Sequence, residues 1–437
     1  MKRITMINPN MASYRSGDAM QPLVFAILKS LTPPGFEVTF FDDRVEEVDY
    51  ERPTDLVAIT VGTFTARQAY RIAARYREKG IPVVMGGYHA TLLPGEVKQH
   101  ADAVVEGNAE TIWGQLLEDF TNDCLKPFYR SELNDHEPLK TAYDYSIFKG
   151  KKYFPINLVE WGRGCRHNCD FCCIQAFNKG KEVLRPIAEV MDDIKGLDNK
   201  PVFFVDDNLY HNKEQFREFL KALIPLKKRW ACQISVDVAR DDELLDLMQQ
   251  SGCLMALLGI ESLRDESLKM MNKGWNFNPE KYTEALRKFK KRHIMIYGAF
   301  IFGYDHDIPG DFQTAVDFAI RNKFFIANFN PLYPMPGTPL YSRLEQENRL
   351  LFKNWWTDPS FYYGKSMFKP VGFSPMELEN YCFKAKKEFN TLRSIFYRMT
   401  NFSANMYGIV NSAYFILTNF TNRREIQRKQ GLKLGES

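Results

Sequence analysis

Residues 156–173, INLVEWGRGCRHNCDFCC, join a short apolar run to a loop that contains four of the chain's eight cysteines. Cys165, Cys169 and Cys172 follow the spacing C-x3-C-x2-C, and Cys173 comes directly after the last of them. INLVEW has the length and apolar character of a buried strand. The cysteines are therefore expected at the carboxyl end of a strand, where the functional loops of parallel α/β folds collect.

Six apolar runs, separated by helical stretches, start at this point. They are INLVEW, PVFFVDDN, CQISVDV, LMALLGIE, HIMIYGAFIFG and FIANFNPLYP, and they fall within residues 156–345. Alternating strands and helices predict a parallel sheet. Because a complete eight-stranded barrel takes about 250 residues, this shorter series predicts a partial (β/α)6, TIM-like barrel.

The first part of the chain contains another alternating series. RITMINP, FEVTFFD, DLVAITV, IPVVMGG and ADAVVEG are short apolar runs, and RQAYRIAARYREKG between two of them is an amphipathic helix that ends in glycine. We therefore expect a doubly wound, Rossmann-like domain over residues 1–135, followed by a surface linker over 136–155. Residues 346–437 change character and are expected to form an aromatic and helical extension.

Composition sets wide bounds on function. The 437 residues are 45% hydrophobic and 26% charged with a net charge of +4, which is an ordinary globular balance that requires no nucleic-acid partner. The length favours two or three domains. No run of about 18 apolar residues occurs, so no spanning helix is expected. Cysteines outside the loop are scattered, which favours free thiols and a reducing cytoplasm.

The cysteine spacing leaves more than one kind of metal site open. A structural zinc site normally takes four ligands from two separate knuckles, and no second knuckle is present. Iron–sulfur clusters are held by thiolates at such short spacings. Three thiolates on a four-iron cube leave one iron free to chelate a small molecule. A zinc knuckle or a chance cysteine loop stays as the alternative, and Cys173 is expected to be a packed bystander.

The pattern C-x3-C-x-F-C, formed by Cys165, Cys169, Phe171 and Cys172, resembles the signature of the radical SAM superfamily. The resemblance implies a [4Fe-4S] cluster on these three cysteines and S-adenosylmethionine (SAM) on its open iron. It also implies an electron donor such as flavodoxin or ferredoxin, reductive cleavage of SAM, and hydrogen abstraction from an unreactive carbon.

The same resemblance implies SAM contacts at the ends of successive barrel strands. In this family the region after the second strand receives the SAM amino group, often through Gly-Gly-Glu, and aspartates replace the glycines here. The later strand ends supply groups for the ribose, the carboxylate and the adenine. The implied residues are Asp206, Asp207, Asn208, Ser235, Asp237, Arg240, Glu261, Ser262 and Gly303. Any one of these carboxylates alone could instead be a helix cap or a surface charge.

The N-terminal domain lacks the G-x-G-x-x-G turn of dinucleotide sites in its first loop, NPNMASYRSGD, which disfavours nicotinamide or flavin. Its later strand ends resemble the cobalamin-binding domain that precedes many radical SAM barrels. The matching residues are Gly86, Gly87, His89, Glu106, Gly107 and Glu110. That first loop contains no histidine, so we expect cobalamin without a lower histidine ligand, and His89 at the corrin periphery. The alternative is a domain that packs on the barrel and binds nothing.

These inferences predict a cobalamin-dependent methyltransferase that acts on an unactivated carbon of a small molecule or lipid. The alternatives are a radical cyclase or oxidase that transfers no methyl group, a cobalamin-free radical enzyme, and a non-enzymatic iron–sulfur or zinc scaffold. In the extension, the aromatic residues are either a substrate-shaping cap or core. The last helix with Arg423, Arg424, Arg428 and Lys429 is either docked with a solvated basic tail or in peripheral contact with a membrane.

Overall fold

The computed structural model of the chain describes residues 1–15, 17–131, 141–275 and 279–435. It is an α/β structure built on two six-stranded parallel sheets and an antiparallel two-stranded ribbon. The predicted fold class is thereby confirmed. The first sheet occupies Lys2–Ser131 and the second Asn157–Pro331; the domain boundaries at residues 135, 155 and 345 stay predictions.

The first sheet has the strand order β2-β1-β3-β4-β5-β6 and every neighbouring pair is parallel. Its strands are β1 Lys2–Asn8, β2 Phe36–Asp42, β3 Leu56–Thr60, β4 Val83–Gly86, β5 Ala103–Gly107 and β6 Phe128–Ser131. The helices are α1 Leu23–Leu31, α2 Ala66–Glu78, α3 Tyr88–Leu92, α4 Pro94–Lys98 and α5 Trp113–Thr121. Successive residues such as Met6 and Ile7 enter different apolar clusters, because both faces of the sheet are covered.

The second sheet has the order β14-β13-β12-β11-β10-β7 and forms the open barrel. Its strands are β7 Asn157–Val159, β10 Val202–Phe204, β11 Trp230–Gln233, β12 Cys253–Glu261, β13 Met295–Phe302 and β14 Ile326–Pro331, and the ribbon is β8 Gly162–Arg163 with β9 Val183–Leu184. The helices are α6 Cys173–Asn178, α7 Ile187–Lys195, α8 Lys213–Leu223, α9 Asp242–Gln250, α10 Asp265–Met270, α11 Pro279–Lys291, α12 Pro309–Arg321 and α13 Pro339–Gln346.

The extension ties the two sheets together. It contains α14 Pro375–Phe389, α15 Leu392–Met399 and α16 Gly408–Lys429. Trp355 and Trp356 are buried in the apolar cluster on one face of the first sheet. Of the two alternatives for the aromatic residues, a substrate-shaping cap or core, these two tryptophans belong to the core. The Trp355 ring nitrogen donates to the Pro334 backbone oxygen at 3.1 Å, which joins the chain after β14 to the same cluster.

Described residues 141–155, within the predicted linker, are anchored to the first domain. Ile147 and Phe148 are buried in the cluster on the other face of the first sheet. The Tyr153 hydroxyl donates to Asp42 at 3.0 Å. This part of the chain therefore packs on the domain, because its apolar residues have a sheet face to cover. Among the helices of the described residues, none is long and apolar enough to cross a membrane.

Candidate functional site

The three cysteines of the predicted metal site lie in the loop between β8 and α6. Cys165 and Cys172 are half-buried and Cys169 is buried, and all three are free thiols. The side chain of Gln175 donates hydrogen bonds to the backbone oxygens of Cys165 and His167. The first turn of α6 therefore holds the loop in a defined shape.

Gly164 sets the direction in which the chain enters this loop. Its φ is +90°, and a Cβ atom there would lie 1.9 Å from the backbone oxygen of Lys181. Both the backbone conformation and the available space therefore require glycine at this position.

Two carboxylates after β10 hold the backbone that leads into the loop. The oxygens of Asp206 accept the backbone N–H groups of Trp161 at 3.0 Å and Gly162 at 2.7 Å. Asp207 accepts the Gly164 N–H at 2.8 Å. Hydrogen bonds to a carboxylate are stronger than neutral ones, so both residues position the cysteine loop. Burial raises the pKa of Asp207 to about 7.

Burial makes the cysteine thiols harder to deprotonate. Burial raises the pKa of Cys165 to about 11 and that of Cys169 to about 12. Burial also raises the pKa of Cys172, although backbone N–H groups of Ile174 and Gln175 counteract it. Metal binding must therefore release these protons, as it does at other thiolate sites.

The donor set fits an iron–sulfur cluster better than a single metal ion. Within the described ranges, no group of three or more His, Cys, Asp or Glu side chains lies close enough together to hold one ion. A tetrahedral zinc site needs its ligands to converge on one point. In a cluster each thiolate binds a different iron atom, so three separated thiols on one short loop are suitable.

A buried cation faces the cysteine loop. The Lys273 ammonium donates to the Gly259 backbone oxygen at 2.9 Å and to Glu261 at 2.8 Å. Burial alone lowers the pKa of Lys273, but Glu261, Cys169 and Cys172 outweigh burial and raise it. Lys273 is therefore a fixed positive charge close to the thiols.

Three polar atoms near the loop are buried without a hydrogen-bond partner among the described residues. They are Ser235 Oγ, Asp237 Oδ1 and His167 Nε2. The other oxygen of Asp237 pairs with Arg166 at 3.1 Å, and the His167 ring stacks on Trp275 at 3.7 Å. Since buried polar groups are normally satisfied, this unsatisfied set is suited to a polar ligand.

A cavity of about 320 Å³ lies between the carboxyl ends of the two sheets. Gly62, Gly87, Tyr88 and Gly107 contribute from the first sheet, and barrel residues including Asp207 line the opposite side. Gly87 and Gly107 have φ values of +104° and +84°, which favour glycine and keep side chains out of the cavity. A flat ligand could therefore approach the backbone of the first domain.

An ion-pair cluster closes one side of this cavity. The Arg163 guanidinium contacts Glu160 at 2.7 Å and Glu110 at 2.6 Å, and it donates to Asn108 at 2.8 Å. Arg163 and Glu160 belong to the barrel side, whereas Glu110 and Asn108 follow β5 of the first sheet. Burial raises the pKa of Glu160, and Arg163 opposes that effect.

Comparison with known proteins identifies the family. The family model of the radical SAM superfamily matches residues 159–319. The chain is 31% identical over 421 residues to bacteriochlorophyllide d C-12(1)-methyltransferase of Chlorobaculum tepidum, covering 93% of this chain and 90% of that protein. It is also 31% identical over 356 residues to bacteriochlorophyllide d C-8(2)-methyltransferase of the same organism, covering 76% and 78%. The chain belongs to the radical SAM superfamily.

The two-domain architecture also matches solved radical SAM structures. The methyltransferase TsrM from Kitasatospora setae, solved with cobalamin and a [4Fe-4S] cluster, aligns with a TM-score of 0.66 at 17% identity, covering 98% of this chain and 99% of that one. At this identity the likeness establishes the fold: a Rossmann-like domain of the cobalamin-binding type ahead of a radical SAM barrel.

Two further predicted residues of the radical SAM barrel have partners within the protein. Asn208 Oδ1 accepts the Ser235 backbone N–H at 2.9 Å, which links the ends of β10 and β11. Arg240 donates to the Trp275 backbone oxygen at 3.2 Å. Both residues therefore shape the mouth of the radical SAM barrel.

The remaining predicted residues of the radical SAM site lie in packed surroundings. Ser262 Oγ accepts the Arg264 backbone N–H at 3.1 Å. Phe171 packs against the apolar core of the barrel. Gly303 has a φ of +119°, and a Cβ there would lie 2.8 Å from the Phe368 ring. The space next to Gly303, which we expected to accommodate adenine, is therefore occupied by Phe368.

In the Rossmann-like domain the predicted residues separate into two groups. Gly87, Gly107 and Glu110 line the cavity that faces the radical SAM barrel. Gly86 and Glu106 are not among its lining residues, and the Glu106 carboxylate pairs with Arg130 at 2.8 Å.

His89 follows Gly87 and Tyr88 but is not itself among the lining residues of this cavity; its ring lies in a buried hydrogen-bond network. Glu96 accepts the Tyr70 hydroxyl at 2.8 Å and the Trp356 ring N–H at 2.8 Å, and it lies 3.3 Å from His89 Nε2. Burial raises the pKa of Glu96, but these donors outweigh burial and lower it. His89 Nδ1 lies 3.3 Å from Thr63 Oγ1. The network fixes the extension on the first domain.

Sequence reasoning missed Lys273, Arg163 and Tyr88 of this radical SAM protein. Lys273 lies after α10 in MNKGW, away from any strand end, and no local pattern marks it. Arg163 stands two residues before the first cysteine, and this position could have been noticed. Tyr88 follows the Gly-Gly pair, and its ring lies 4.5 Å from that of Phe177 of α6.

Proposed function

We propose that this chain is a cobalamin-dependent radical SAM methyltransferase acting on an unactivated carbon of a small molecule or lipid. The observation that carries the proposal is that the strand-end loops of both domains line one cavity, and that Asp207, which holds the cysteine loop, lines it as well. When bound, the [4Fe-4S] cluster, SAM and cobalamin together supply a carbon-centred radical and a methyl donor.

Cys165, Cys169 and Cys172 are the proposed cluster ligands. Asp206, Asp207 and Gln175 hold their loop through backbone hydrogen bonds, which leaves the three thiols free for metal. The adjacent Cys173 begins α6 and is not assigned as a ligand.

The binding of SAM is proposed to use charged and unsatisfied groups around the loop. Lys273 presents a cation for a carboxylate. Ser235 Oγ and Asp237 Oδ1 lack partners in the described part of the chain and are available to ribose hydroxyls or to an amine. Glu261 keeps Lys273 in place. The other predicted contacts, Asp206, Asn208, Arg240, Ser262, Gly303 and Phe171, are proposed to position these groups.

The cavity between the sheets is the proposed cobalamin site. Gly87 and Gly107 let a flat macrocycle approach the backbone. No histidine is among the residues described as lining the cavity, which supports cobalamin without a lower histidine ligand. The Arg163–Glu110 contact helps to exclude water, which protects a reactive carbon radical.

A second, apolar cavity lies in the barrel at the end opposite to the cysteine loop, so it does not place a substrate beside the proposed radical. It has a volume of about 360 Å³ and lies toward the amino ends of the strands, between the sheet and α16. Its lining includes Phe203, Leu257, Met295 and Tyr297. Burial of apolar area favours a hydrophobic group there by about 25 cal/mol per Å².

The proposed function is tested by anaerobic reconstitution with iron, sulfide, cobalamin, SAM and a strong reductant. We expect bound corrin, 5′-deoxyadenosine and S-adenosylhomocysteine by mass spectrometry in the presence of substrate. Cys169→Ala should abolish 5′-deoxyadenosine formation, and Cys173→Ala is the matched control. A flavodoxin or ferredoxin partner and a cytoplasmic location stay predictions.

Each product pattern separates one alternative. 5′-Deoxyadenosine with methionine but without S-adenosylhomocysteine would indicate a cyclase or oxidase. SAM cleavage by protein that never retains corrin would indicate a cobalamin-free radical enzyme. Absence of both 5′-deoxyadenosine and corrin would overturn the proposal and favour a scaffold.

A further inference from the structure

Apart from Phe415, helix α16 buries mostly polar side chains and exposes several apolar ones, which is unusual for a surface helix. Asn411, Asn419 and Glu425 are at most 5% exposed. On the outward side, Ile409 is 89% exposed and Leu417 is 48% exposed.

The orientation of α16 is fixed by its buried amides. Asn411 Nδ2 donates to the backbone oxygens of His293 at 3.2 Å and Ala404 at 2.9 Å. Asn419 Nδ2 donates to the Phe325 backbone oxygen at 3.1 Å. Turning the helix to bury Ile409 would break these bonds and leave buried polar groups unsatisfied, which is unfavourable. The outward apolar face is therefore a stable feature.

Helix α15 and the loop after it extend the same surface. Phe396 is 57% exposed and Phe402 is 73% exposed. Arg398 of α15 donates to the Phe325 backbone oxygen at 2.9 Å, which is the same oxygen that Asn419 of α16 contacts. Both helices are therefore fixed at one end of the barrel. We call their outward side, with Phe396, Phe402, Ile409, Ile416, Leu417 and Phe420, the apolar face.

Positive charge is concentrated around the apolar face. Residues 384–437 contain ten lysines and arginines and three glutamates; Lys386 and Arg398 are buried and Lys429 pairs with Asp18 at 2.7 Å, so at most the remaining seven basic residues are available to a surface. A cleft of about 420 Å³ between α14 and α16 is lined by Lys384, Lys387 and Arg423, with Glu388 as its one acidic residue.

We propose that the apolar face lies on an anionic lipid bilayer. Exposed apolar side chains beside basic ones are typical of segments that rest at the boundary between headgroups and acyl chains. Aromatic rings such as that of Phe402 suit this boundary, and nearby cations are attracted to anionic lipid. The surface lies at the amino ends of the barrel strands, so the mouth of the barrel points away from the bilayer.

The proposal is tested by sedimenting the full-length protein with phosphatidylcholine vesicles, with and without phosphatidylglycerol. We expect binding to the anionic vesicles that weakens with added salt. The double variant Ile409→Glu, Leu417→Glu should lose about tenfold or more in vesicle affinity. Val371→Glu is the matched control, because Val371 is 63% exposed and lies beside Gly372, which approaches Asp307 at the other end of the barrel.

Three results would overturn the proposal. The first is failure of the native protein to bind either kind of vesicle. The second is equal loss of binding by the control variant. The third is a dimer in analytical ultracentrifugation that the double variant abolishes, since a second copy of the chain would then cover the apolar face. Vesicle binding needs no cofactor, so this outcome is independent of the proposed function.

Discussion

The guanidinium of Arg163 lies 2.6 Å from a carboxylate oxygen of Glu110, and this contact joins the barrel to the first domain. Arg163 stands two residues before Cys165 in the chain. Arg163, which closes the inter-sheet cavity, is therefore close in sequence to the proposed metal-binding loop. Docking of the two domains and placement of this loop are coupled for that reason.

Replacing Arg163 should cost more stability than replacing its partner. Arg163→Gln leaves both Glu160 and Glu110 without their cation, and breaking such a buried pair costs about 3–5 kcal/mol. Glu110→Gln keeps the Arg163–Glu160 pair at 2.7 Å, so its cost should be smaller. Urea unfolding of both variants measures the difference. Equal losses of unfolding free energy in the two variants would show that the buried Glu160 carboxylate does not need Arg163 for its stabilisation.

The two thiols at the start of α6 should differ in their effect on iron. Cys169→Ala and Cys172→Ala remove proposed ligands and should abolish iron loading. Cys173→Ala changes a neighbouring thiol and should leave most of the iron in place. Iron and sulfide analysis with visible spectroscopy of anaerobically reconstituted protein gives the result. Equal loss of iron from Cys173→Ala and Cys172→Ala would mean that the ligands are wrongly assigned.

His211 should make stability depend on pH. Burial alone lowers its pKa, but Asp206 and Glu182 outweigh burial and raise it to about 9. The ring lies 3.3 Å from Glu182 and 3.7 Å from Asp206. The folded-state pKa exceeds the unfolded value of about 6.5. The contribution of His211 is therefore complete below about pH 6.5 and is lost as the pH rises through about 9.

The measurement is the difference in unfolding free energy between native protein and His211→Gln at several pH values. We expect the difference to be larger at pH 6.5 than at pH 10 by about 3 kcal/mol. Other groups that titrate near pH 10 cancel in this difference. A constant difference across the range would contradict the assignment.

Two tyrosines of α2 form a matched pair for the Glu96 network. Tyr70→Phe removes the donor 2.8 Å from Glu96, and a hydrogen bond to a charged group contributes about 1.5–3 kcal/mol. The buried Tyr76 hydroxyl has no partner among the described residues, so Tyr76→Phe should be neutral or slightly stabilising. Thermal unfolding measures both variants. A larger loss in Tyr76→Phe would overturn this account.

The repeating pattern of apolar runs predicted most of the fold. The six runs from INLVEW to FIANFNPLYP each overlap a barrel strand, and the five runs before them overlap β1 to β5, although CQISVDV shares only Cys232 and Gln233 with β11. The sequence did not predict β6 or the ribbon of β8 and β9. β6 reads FYRS, β8 reads GR and β9 reads VL, so none of them lies in an apolar run of the kind on which such predictions depend.

The candidate site could be predicted from the sequence only where residues adjacent in the chain form it. The cysteine loop is local, so its spacing was visible in the sequence. Lys273 reaches the same loop from more than 100 residues away, and Glu261 helps to raise its pKa against the effect of burial. Asp206 was placed correctly at a strand end, but its two backbone partners become apparent only when β7 and β10 pair.

The shape of the cysteine loop comes from Asp206, Asp207, Gly164 and Gln175, and none of these is a proposed ligand. None of these contacts uses a cysteine side chain, so we expect the loop to keep its shape when the metal is lost. We expect protein that has lost its cluster to oxygen to regain it from added iron and sulfide without being unfolded or synthesised again.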